Sequence, residues 1–218
     1  MKHGYTNETS QERNAVRKVY EGPDAERRAE AEHRALSALA GLIPVPEVIA
    51  AEPSALVMGF VEGLHGQDLI DLGHAHEVLH ECGRILRQLH SLDPTLLDES
   101  PDENEVIQHG DFGPNNILLK DPTFDVAAVL DWEFSGVGPA IKDIAWCEWI
   151  VRMHHPREVS MLAAFFDAYG TRPPWNERRV EMLRRCRSLE SFAQRWDPAG
   201  RAVTVWRERA TVVASWAE

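Results

Sequence analysis

The chain has 218 residues, of which 44% are hydrophobic and 8% are aromatic, a composition typical of a folded protein with one core or two small lobes. Its 23 Lys and Arg residues against 35 Asp and Glu residues give a formal net charge of -12 at pH 7. This charge repels nucleic acid and anionic membranes at long range. It therefore favours a cationic or neutral small molecule as the partner.

The cysteines predict neither a disulfide framework nor a zinc site, because they are odd in number, far apart and without a CxxC pair; they are Cys82, Cys147 and Cys186. The opening residues, MKHGYTNETS, contain no apolar segment of the kind found in signal peptides. No apolar run approaches the roughly 18 residues that cross a bilayer. We therefore expect a soluble cytoplasmic protein with no membrane partner.

The first 61 residues predict a small sheet that carries one helix. A short strand over residues 14–20 ends at a Gly-Pro-Asp turn. The next segment reads as a helix, with Asp24 as its N-cap and Gly41 just after its end. Two apolar runs, VPEVIAA and ALVMGFV, then predict two more strands.

The rest of the chain predicts mostly helix. Residues 75–92 carry apolar side chains at helical spacing, and the chain from about residue 139 reads as further helices. All seven tryptophans lie at or after Trp132, where most are expected to pack in the core and one or two to line a binding pocket. The predicted fold is α+β, with a small N-terminal α/β lobe over residues 1–61 and a larger, mainly helical C-terminal lobe over residues 62–218.

Residues 109–116 read HGDFGPNN and precede the apolar run ILL. A second run, VAAVL, follows a turn at Asp-Pro, and a hairpin of the two would bring Asn116 near Asp131. An amide oxygen and a carboxylate suit Mg²⁺, which takes the rest of its shell from water and substrate phosphates. Asp111 would then lie beside the metal and accept a hydrogen bond from a substrate hydroxyl.

The spacing His-x-Asp-x-x-x-x-Asn, a hairpin and then Asp is the catalytic-loop pattern of protein-kinase-like phosphotransferases. More narrowly, HGDFGPNNILL, VLDWEFSGVGP and DIAW resemble the aminoglycoside phosphotransferase and choline kinase superfamily. The resemblance implies a protein-kinase-like fold with Asp111 as catalytic base and with Asn116 and Asp131 as magnesium ligands. It also implies that Asp143 supports the loop from beneath. His109 is assigned to ordering the loop by hydrogen bonds rather than to chemistry.

The resemblance also implies an ATP site in the N-terminal lobe. Lys18 is the candidate for the lysine that reaches the α- and β-phosphates, and Glu32 for the helix glutamate that holds it; Glu30 is a rival two residues away. The segment GYTNETS, residues 4–10, resembles the turn that covers the phosphates, although no GxGxxG is present. The chain also begins later than many relatives, which predicts one edge strand fewer.

The segment LVMGFVEG is the expected hinge between the lobes. In a kinase of this kind the adenine pairs with backbone groups of the hinge. Those groups are expected near Gly59 and Val61, with Met58 and Phe60 packed around the base.

The predicted function is ATP- and Mg²⁺-dependent transfer of the γ-phosphoryl group to a hydroxyl of a small molecule, which is aminoglycoside-like, choline-like or sugar-like. Glu133, together with Glu148 and the general acidity, favours a cationic acceptor. The alternative is a kinase-shaped nucleotide-binding module without turnover. The presence of Asp111 alongside the metal pair and the lysine counts against it, because a binding module does not need a base.

Overall fold

The computed structural model describes residues 7–218 and has the predicted α+β architecture. A four-stranded antiparallel sheet in the order β1-β2-β4-β3 forms the small lobe. Its strands are β1 (Asn7–Glu12), β2 (Ala15–Tyr20), β3 (Val48–Glu52) and β4 (Ala55–Gly59), and its helix is α1 (Ala25–Leu39).

The segment expected to cover the phosphates is only partly described. Residues 7–10 of that segment form the first part of β1, so they are strand rather than turn. Residues 4–6 lie outside the described residues. The turn that joins β1 to β2 lies instead at residues 13–14, where Arg13 has a φ of 54°.

Helix α1 begins and ends close to the predicted residues, but its N-terminus is held differently. Asp24 stands at the N-cap position with a φ of 58°, and its side chain makes no capping hydrogen bond. Its carboxylate lies 2.9 Å from Arg195 of a distant helix, and this ion pair replaces the predicted cap. Gly41, with a φ of 76°, follows the helix as expected of a C-terminal glycine.

The larger lobe is mainly helical. Its helices are α2 (Gly66–Asp71), α3 (Ala75–His90), α4 (Ile141–His154), α5 (Leu162–Tyr169), α6 (Trp175–Trp196) and α7 (Arg201–Ser215). Its short strands are β5 (Leu64–His65), β6 (Val106–Gln108), β7 (Ile117–Leu119), β8 (Val126–Val129) and β9 (Gly136–Gly138). Strands β7 and β8 form the predicted hairpin, with β5 beside β7, while β6 pairs with β9.

Helix α3 forms the centre of this lobe because its apolar residues recur every three or four positions and are buried, among them Val78, Leu79, Ile85 and Leu86. It packs closely against α5. A Cβ at Gly83 would lie 2.2 Å from the Phe165 carbonyl oxygen, so this helix contact requires glycine.

Two apolar clusters stabilise the molecule. The larger one runs through both lobes, from Leu36 and Leu56 to Val129 and Trp132. The smaller one joins α4, α6 and α7, and in it the rings of Trp146 and Trp149 stack with centroids 4.3 Å apart. The buried tryptophans Trp132, Trp146 and Trp149 therefore all pack in the core.

The three cysteines are buried and free. In the described part of the chain, no helix combines the length and the apolar character that crossing a bilayer requires.

Candidate active site

The loop over residues 109–116, which we call the catalytic loop, connects β6 to β7 and is fixed from beneath by Asp143. The backbone N–H groups of His109 and Gly110 donate to the Asp143 carboxylate at 2.8 and 2.9 Å. Burial raises the pKa of Asp143, but hydrogen bonds and charge from His90 and His109 outweigh it and hold that pKa below its usual value. Asp143 is therefore ionised and braces the loop.

Gly110 allows the catalytic loop to approach the segment after Asp131. It has a φ of 81°, and a Cβ there would lie 2.1 Å from the Phe134 carbonyl oxygen. Any other residue would be strained and would clash with backbone. The glycine of the His-Gly-Asp sequence is thus required by packing.

His109 lies inside the catalytic loop, fully buried, with both ring nitrogens engaged. Nε2 lies 2.8 Å from the Leu130 carbonyl oxygen, and Nδ1 accepts a hydrogen bond from the Asp111 backbone N–H at 3.2 Å. Burial lowers the pKa of His109, so the ring is neutral with its proton on Nε2. The ring joins the catalytic loop to the end of β8.

Asp111 is half-buried at the front of the loop, and two side chains donate to it. Asn116 donates to Oδ2 at 2.9 Å, and the Trp146 indole donates to Oδ1 at 2.7 Å. Burial raises the pKa of Asp111 to about 6, and the charge of Asp131 adds to the rise, whereas Arg185 and the two hydrogen bonds oppose it. A carboxyl group that titrates near neutral pH is well suited to accept a proton.

Trp146 is a candidate site residue that the sequence-based prediction does not single out from the other tryptophans, one or two of which are expected to line a pocket. It is buried in the cluster of α4, α6 and α7, yet its Nε1–H reaches the carboxylate of Asp111. A signal was present in the sequence. Trp146 follows Asp143 by three residues in one helix, so both side chains face the catalytic loop.

Lys18 joins the two lobes. Its Nζ lies 2.5 Å from Glu32 Oε2 on α1 and 2.5 Å from Asp131 Oδ1. The Tyr20 hydroxyl donates to the same Glu32 oxygen at 2.6 Å. Burial lowers the pKa of Lys18, but the charges of Asp131 and Glu32 more than compensate, and the net pKa is above its ordinary value. Glu30 is exposed, so the structure brings Lys18 together with Glu32 and not with its rival.

Asn116 and Asp131 lie at the open end of the β7–β8 hairpin. The Asn116 carbonyl oxygen accepts a hydrogen bond from Leu130 N–H at 2.8 Å, which places Asn116 across from the residue before Asp131. Within residues 7–218, no hydrogen bond reaches Asn116 Oδ1 or Asp131 Oδ2, because Asn116 donates through Nδ2 and Lys18 takes Oδ1 of Asp131. Burial raises the pKa of Asp131, but Lys18 outweighs this, and the pKa is lowered overall.

These two oxygens fit Mg²⁺. The ion takes one or two protein oxygens and completes its octahedron with water and phosphate. A site for a metal that needs three or more His, Cys, Asp or Glu ligands is absent from the described residues. The two oxygens are therefore a donor set that Mg²⁺ accepts when other oxygens complete its shell.

The expected hinge follows β4, but part of its backbone is already bonded. The Gly59 N–H donates to the Glu47 carbonyl oxygen and the Phe60 N–H to that of Asn14, both at 2.8 Å. These two N–H groups are therefore unavailable to an adenine, whereas the Val61 N–H makes no hydrogen bond within the described chain. Met58 is buried and Phe60 is exposed. The lobe boundary after residue 61 stays a prediction.

Glu133 and Glu148, expected to favour a cationic acceptor, are both buried against arginines. The Glu133 carboxylate accepts hydrogen bonds from the Arg28 guanidinium and, at 3.1 Å, from an amide on β1. Glu148 lies 2.8 and 2.7 Å from Arg152 and Arg178. The structure therefore does not support Glu133 as an acceptor-binding residue, because arginine already neutralises its carboxylate.

The structure combines a two-lobed α+β fold with a group of polar side chains at the junction of the lobes, which is the arrangement of a protein-kinase-like phosphotransferase. These side chains are Lys18, Glu32, Asp111, Asn116 and Asp131. Residues 3–100 and 95–183 match the phosphotransferase enzyme family APH. The chain belongs to this family.

Two curated relatives show how far the similarity extends. The chain is 34% identical over 88 residues to aminoglycoside 3'-phosphotransferase of Enterococcus faecalis, a match that covers 40% of this chain and 32% of that protein. It is 30% identical over 111 residues to acyl-CoA dehydrogenase family member 11 of Homo sapiens, covering 50% of this chain and 14% of that protein. The matched region thus spans less than two thirds of either relative.

Solved structures confirm the predicted protein-kinase-like fold. The GDP complex of aminoglycoside 2'-phosphotransferase-IIIa superposes with a TM-score of 0.75 at 10% identity, over 98% of this chain and 90% of that one. The gentamicin complex of APH(2")-IIa gives 0.73 at 12% identity, over 97% and 89%. Macrolide 2'-phosphotransferase MphH of Brachybacterium faecium gives 0.61 at 19% identity, over 98% and 93%. At such identities the likeness shows the fold alone.

Proposed function

We propose that the chain transfers the γ-phosphoryl group of ATP to a hydroxyl of a small molecule, with Asp111 as the base. The observation that carries this proposal is the Asp111 carboxyl group itself. The pKa of Asp111 is raised to about 6. Its carboxylate accepts a hydrogen bond from Nδ2 of Asn116, which leaves Oδ1 of Asn116 available to a metal. A structural aspartate in this position would need neither feature.

Asp111 accepts the hydrogen bond of the acceptor hydroxyl, orients its oxygen toward phosphorus and takes the proton as the new bond forms. The hydrogen bonds from Asn116 and Trp146 keep the carboxylate in one orientation. Since each carboxylate oxygen can accept two hydrogen bonds, each keeps capacity for the hydroxyl.

Lys18 donates to phosphate oxygens while Glu32 and Tyr20 hold it in the cleft. Magnesium would be held by Asn116 Oδ1 and Asp131 Oδ2, and when bound it supplies positive charge to the transferring phosphoryl group. Asp131 would then lie between the metal and Lys18, which explains why its second oxygen has no protein partner among the described residues.

The available hinge N–H of Val61 supports a purine nucleotide, which pairs with the backbone in the cleft. Solved neighbours of the fold have been crystallised with ATP and with GDP. We propose ATP as the phosphoryl donor, and repeating the screen described below with GTP in place of ATP tests this choice. The relatives include aminoglycoside and macrolide phosphotransferases, which supports a hydroxyl-bearing small molecule as the acceptor.

The test is a screen for ATP-dependent phosphorylation of amino alcohols, aminoglycosides, sugars, hydroxy acids and sugar phosphates, with Asp111→Asn as the control. We expect at least one acceptor class to be phosphorylated by the wild type. The variant keeps the shape of the side chain but cannot take the proton, and should lose about two or more orders of magnitude in rate. Binding of Mg·ATP without any transfer, and slow ATP hydrolysis unaffected by the variant, would indicate a nucleotide-binding module instead.

A further inference from the structure

A cavity of about 610 Å³ lies between α1, residues 133–135 and α6. Its α6 wall is one helical face, since the lining residues of that helix include positions 185, 188, 192 and 195. Eight charged side chains line the cavity, five of them arginines: Arg27, Arg28, Arg34, Arg185, Arg195, Asp24, Glu30 and Glu133.

Two of these arginines are paired within the cavity wall. Arg28 lies against Glu133, and Arg195 lies 2.9 Å from Asp24. The remaining three arginines have no ion pair with the described residues, and Glu30 is the one carboxylate of the cavity lining that they leave unpaired. From outside the lining, the negative charge of Asp111 also acts on Arg185. The cavity therefore carries an excess of positive charge in a chain whose net charge is -12.

Among the arginines of this cavity, Arg185 has buried guanidinium nitrogens with unused hydrogen-bonding capacity. Its Nε and Nη2 atoms are buried and have no hydrogen-bond partner in the described part of the chain. Its guanidinium lies over the rings of Phe134 and Trp146, 5.0 and 5.4 Å from their centroids. These contacts stabilise the charge but leave its N–H groups unbonded. A planar fork of donors in this state matches the two oxygens of a carboxylate or phosphate.

The indole of Trp146 lies between Arg185 and Asp111 and contacts both. The Trp146 indole lies beneath the Arg185 guanidinium and donates to the Asp111 carboxylate at 2.7 Å. An anion bound to Arg185 would therefore lie about one indole ring from the proposed base. A small molecule with a hydroxyl a few bonds from its anionic group can reach both.

We propose that this cavity binds the anionic group of the acceptor, a carboxylate or a phosphate, with Arg185 as its principal ligand and Arg27 and Arg34 at its entrance. The acceptor hydroxyl then faces Asp111. This inference rests on the proposed phosphotransfer and names its substrate class. It replaces the expectation of a cationic acceptor, because the carboxylates on which that expectation depended are bonded to arginines.

The first test compares acceptors that differ only in charge: a hydroxy acid and its amide, and a sugar phosphate and the free sugar. Assays at about pH 8.5 keep Asp111 ionised, so that its titration does not enter. We expect the wild type to prefer the anionic member of a pair. The variant Arg185→Met should raise KM for that acceptor by about tenfold or more, the scale of a lost charge-assisted pair.

Arg184→Met is the matched control, because Arg184 is exposed next to Arg185 and pairs with Glu181 on its own helix. It should leave KM for the acceptor unchanged. The KM for ATP should be unchanged in both variants. If Arg185→Met raises KM for ATP as much as that of the acceptor, Arg185 serves the nucleotide and the proposal is wrong. The two pairs of acceptors distinguish a carboxylate from a phosphate.

A binding measurement decides the anion site independently of activity. With the nucleotide site saturated by Mg·ADP, inorganic phosphate should raise the unfolding temperature of the wild type and of Arg184→Met, relative to chloride at equal ionic strength. It should not do so for Arg185→Met. An equal rise in all three proteins would overturn the anion site while leaving phosphotransfer intact. Phosphoryl transfer to neutral or cationic acceptors alone would also overturn the anion site. Phosphate binding at Arg185 without transfer to any acceptor would instead count against the proposed function.

Discussion

The two sides of the catalytic loop use the same carboxyl group in opposite ways. On the inner side, Asp143 receives two backbone N–H donors and the ring of His90, and its pKa is lowered. On the outer side, Asp111 receives one indole and one amide donor, and its pKa is raised to about 6. Both groups experience desolvation by burial, and the surrounding donors and charges decide which way each pKa moves.

Under the proposed function, this difference separates Asp143, which supports the loop, from Asp111, which takes part in the reaction. A buried carboxylate with enough donors stays ionised at every physiological pH and holds backbone in place. A carboxylate with fewer donors, beside the like charge of Asp131, is poised to exchange a proton. The two residues should therefore respond oppositely when stability and turnover are measured on the same variants.

The largest effect is expected for Asp143→Ala. The substitution leaves the buried N–H groups of His109 and Gly110 without an acceptor, which should cost about 3 kcal/mol or more of unfolding free energy. Urea denaturation measures this loss, and phosphoryl transfer should disappear with it. A cost below about 1 kcal/mol would show that water replaces the carboxylate and that Asp143 does not brace the loop.

The next effect concerns Lys18 and Glu32, which form one ion pair between β2 and α1 within the small lobe. Lys18→Met and Glu32→Gln should each lower phosphoryl transfer by roughly a hundredfold, and the double variant should fall little further, because coupled residues are not additive. Glu30→Gln changes an exposed neighbour on the same helix that also lines the arginine-rich cavity, so at saturating acceptor it should have a much smaller effect. Multiplicative losses would mean that Glu32 does not act through Lys18.

A smaller effect is expected on the pH dependence. Asp111 must be ionised to act, so kcat/KM should fall as the pH drops through about 6. The Trp146 N–H stabilises the ionised form, and its loss in Trp146→Phe should move the midpoint upward by about one pH unit. An unchanged midpoint, with the rate intact, would remove Trp146 from the control of Asp111.

Stability should show the complementary sign. The pKa of Asp111 is raised in the folded state above its ordinary 3.8. Its contribution to stability is therefore fully present below about pH 4 and is lost as the pH rises through about 6. Asp143, with a lowered pKa, contributes stability that is lost as the pH falls through its folded-state pKa.

The sequence predicted the parts of the site that local structure brings together. Asn116 and Asp131 are joined by one hairpin, so their spacing along the chain determines their proximity. Lys18 and Glu32 lie on a strand and on the helix that follows it. The apolar periodicity of α3 likewise predicted its buried face, because that pattern depends only on helical geometry.

Contacts between distant segments could not be predicted in this way. The sequence predicts an acceptor-binding role for Glu133, because nothing in it shows that Arg28, 105 residues earlier, lies against that carboxylate. Asp24 is the N-cap residue of α1 as predicted, but its side chain makes no capping hydrogen bond and pairs instead with Arg195 of α6, a contact that the sequence does not show. The unpaired donors of Arg185 also depend on how α6 packs. The net charge of the whole chain therefore misrepresents the charge of one cavity.

The most direct test of the account measures single-turnover phosphoryl transfer and unfolding free energy of wild type and Asp111→Asn, at about pH 8 with saturating Mg·ATP and an acceptor from the screen. Transfer should fall by about two or more orders of magnitude, while stability stays equal or rises, because a desolvated charge is removed. Transfer within tenfold of the wild type, or a loss of stability like that of Asp143→Ala, would contradict the account, because Asp111 would then be a structural residue and not the base.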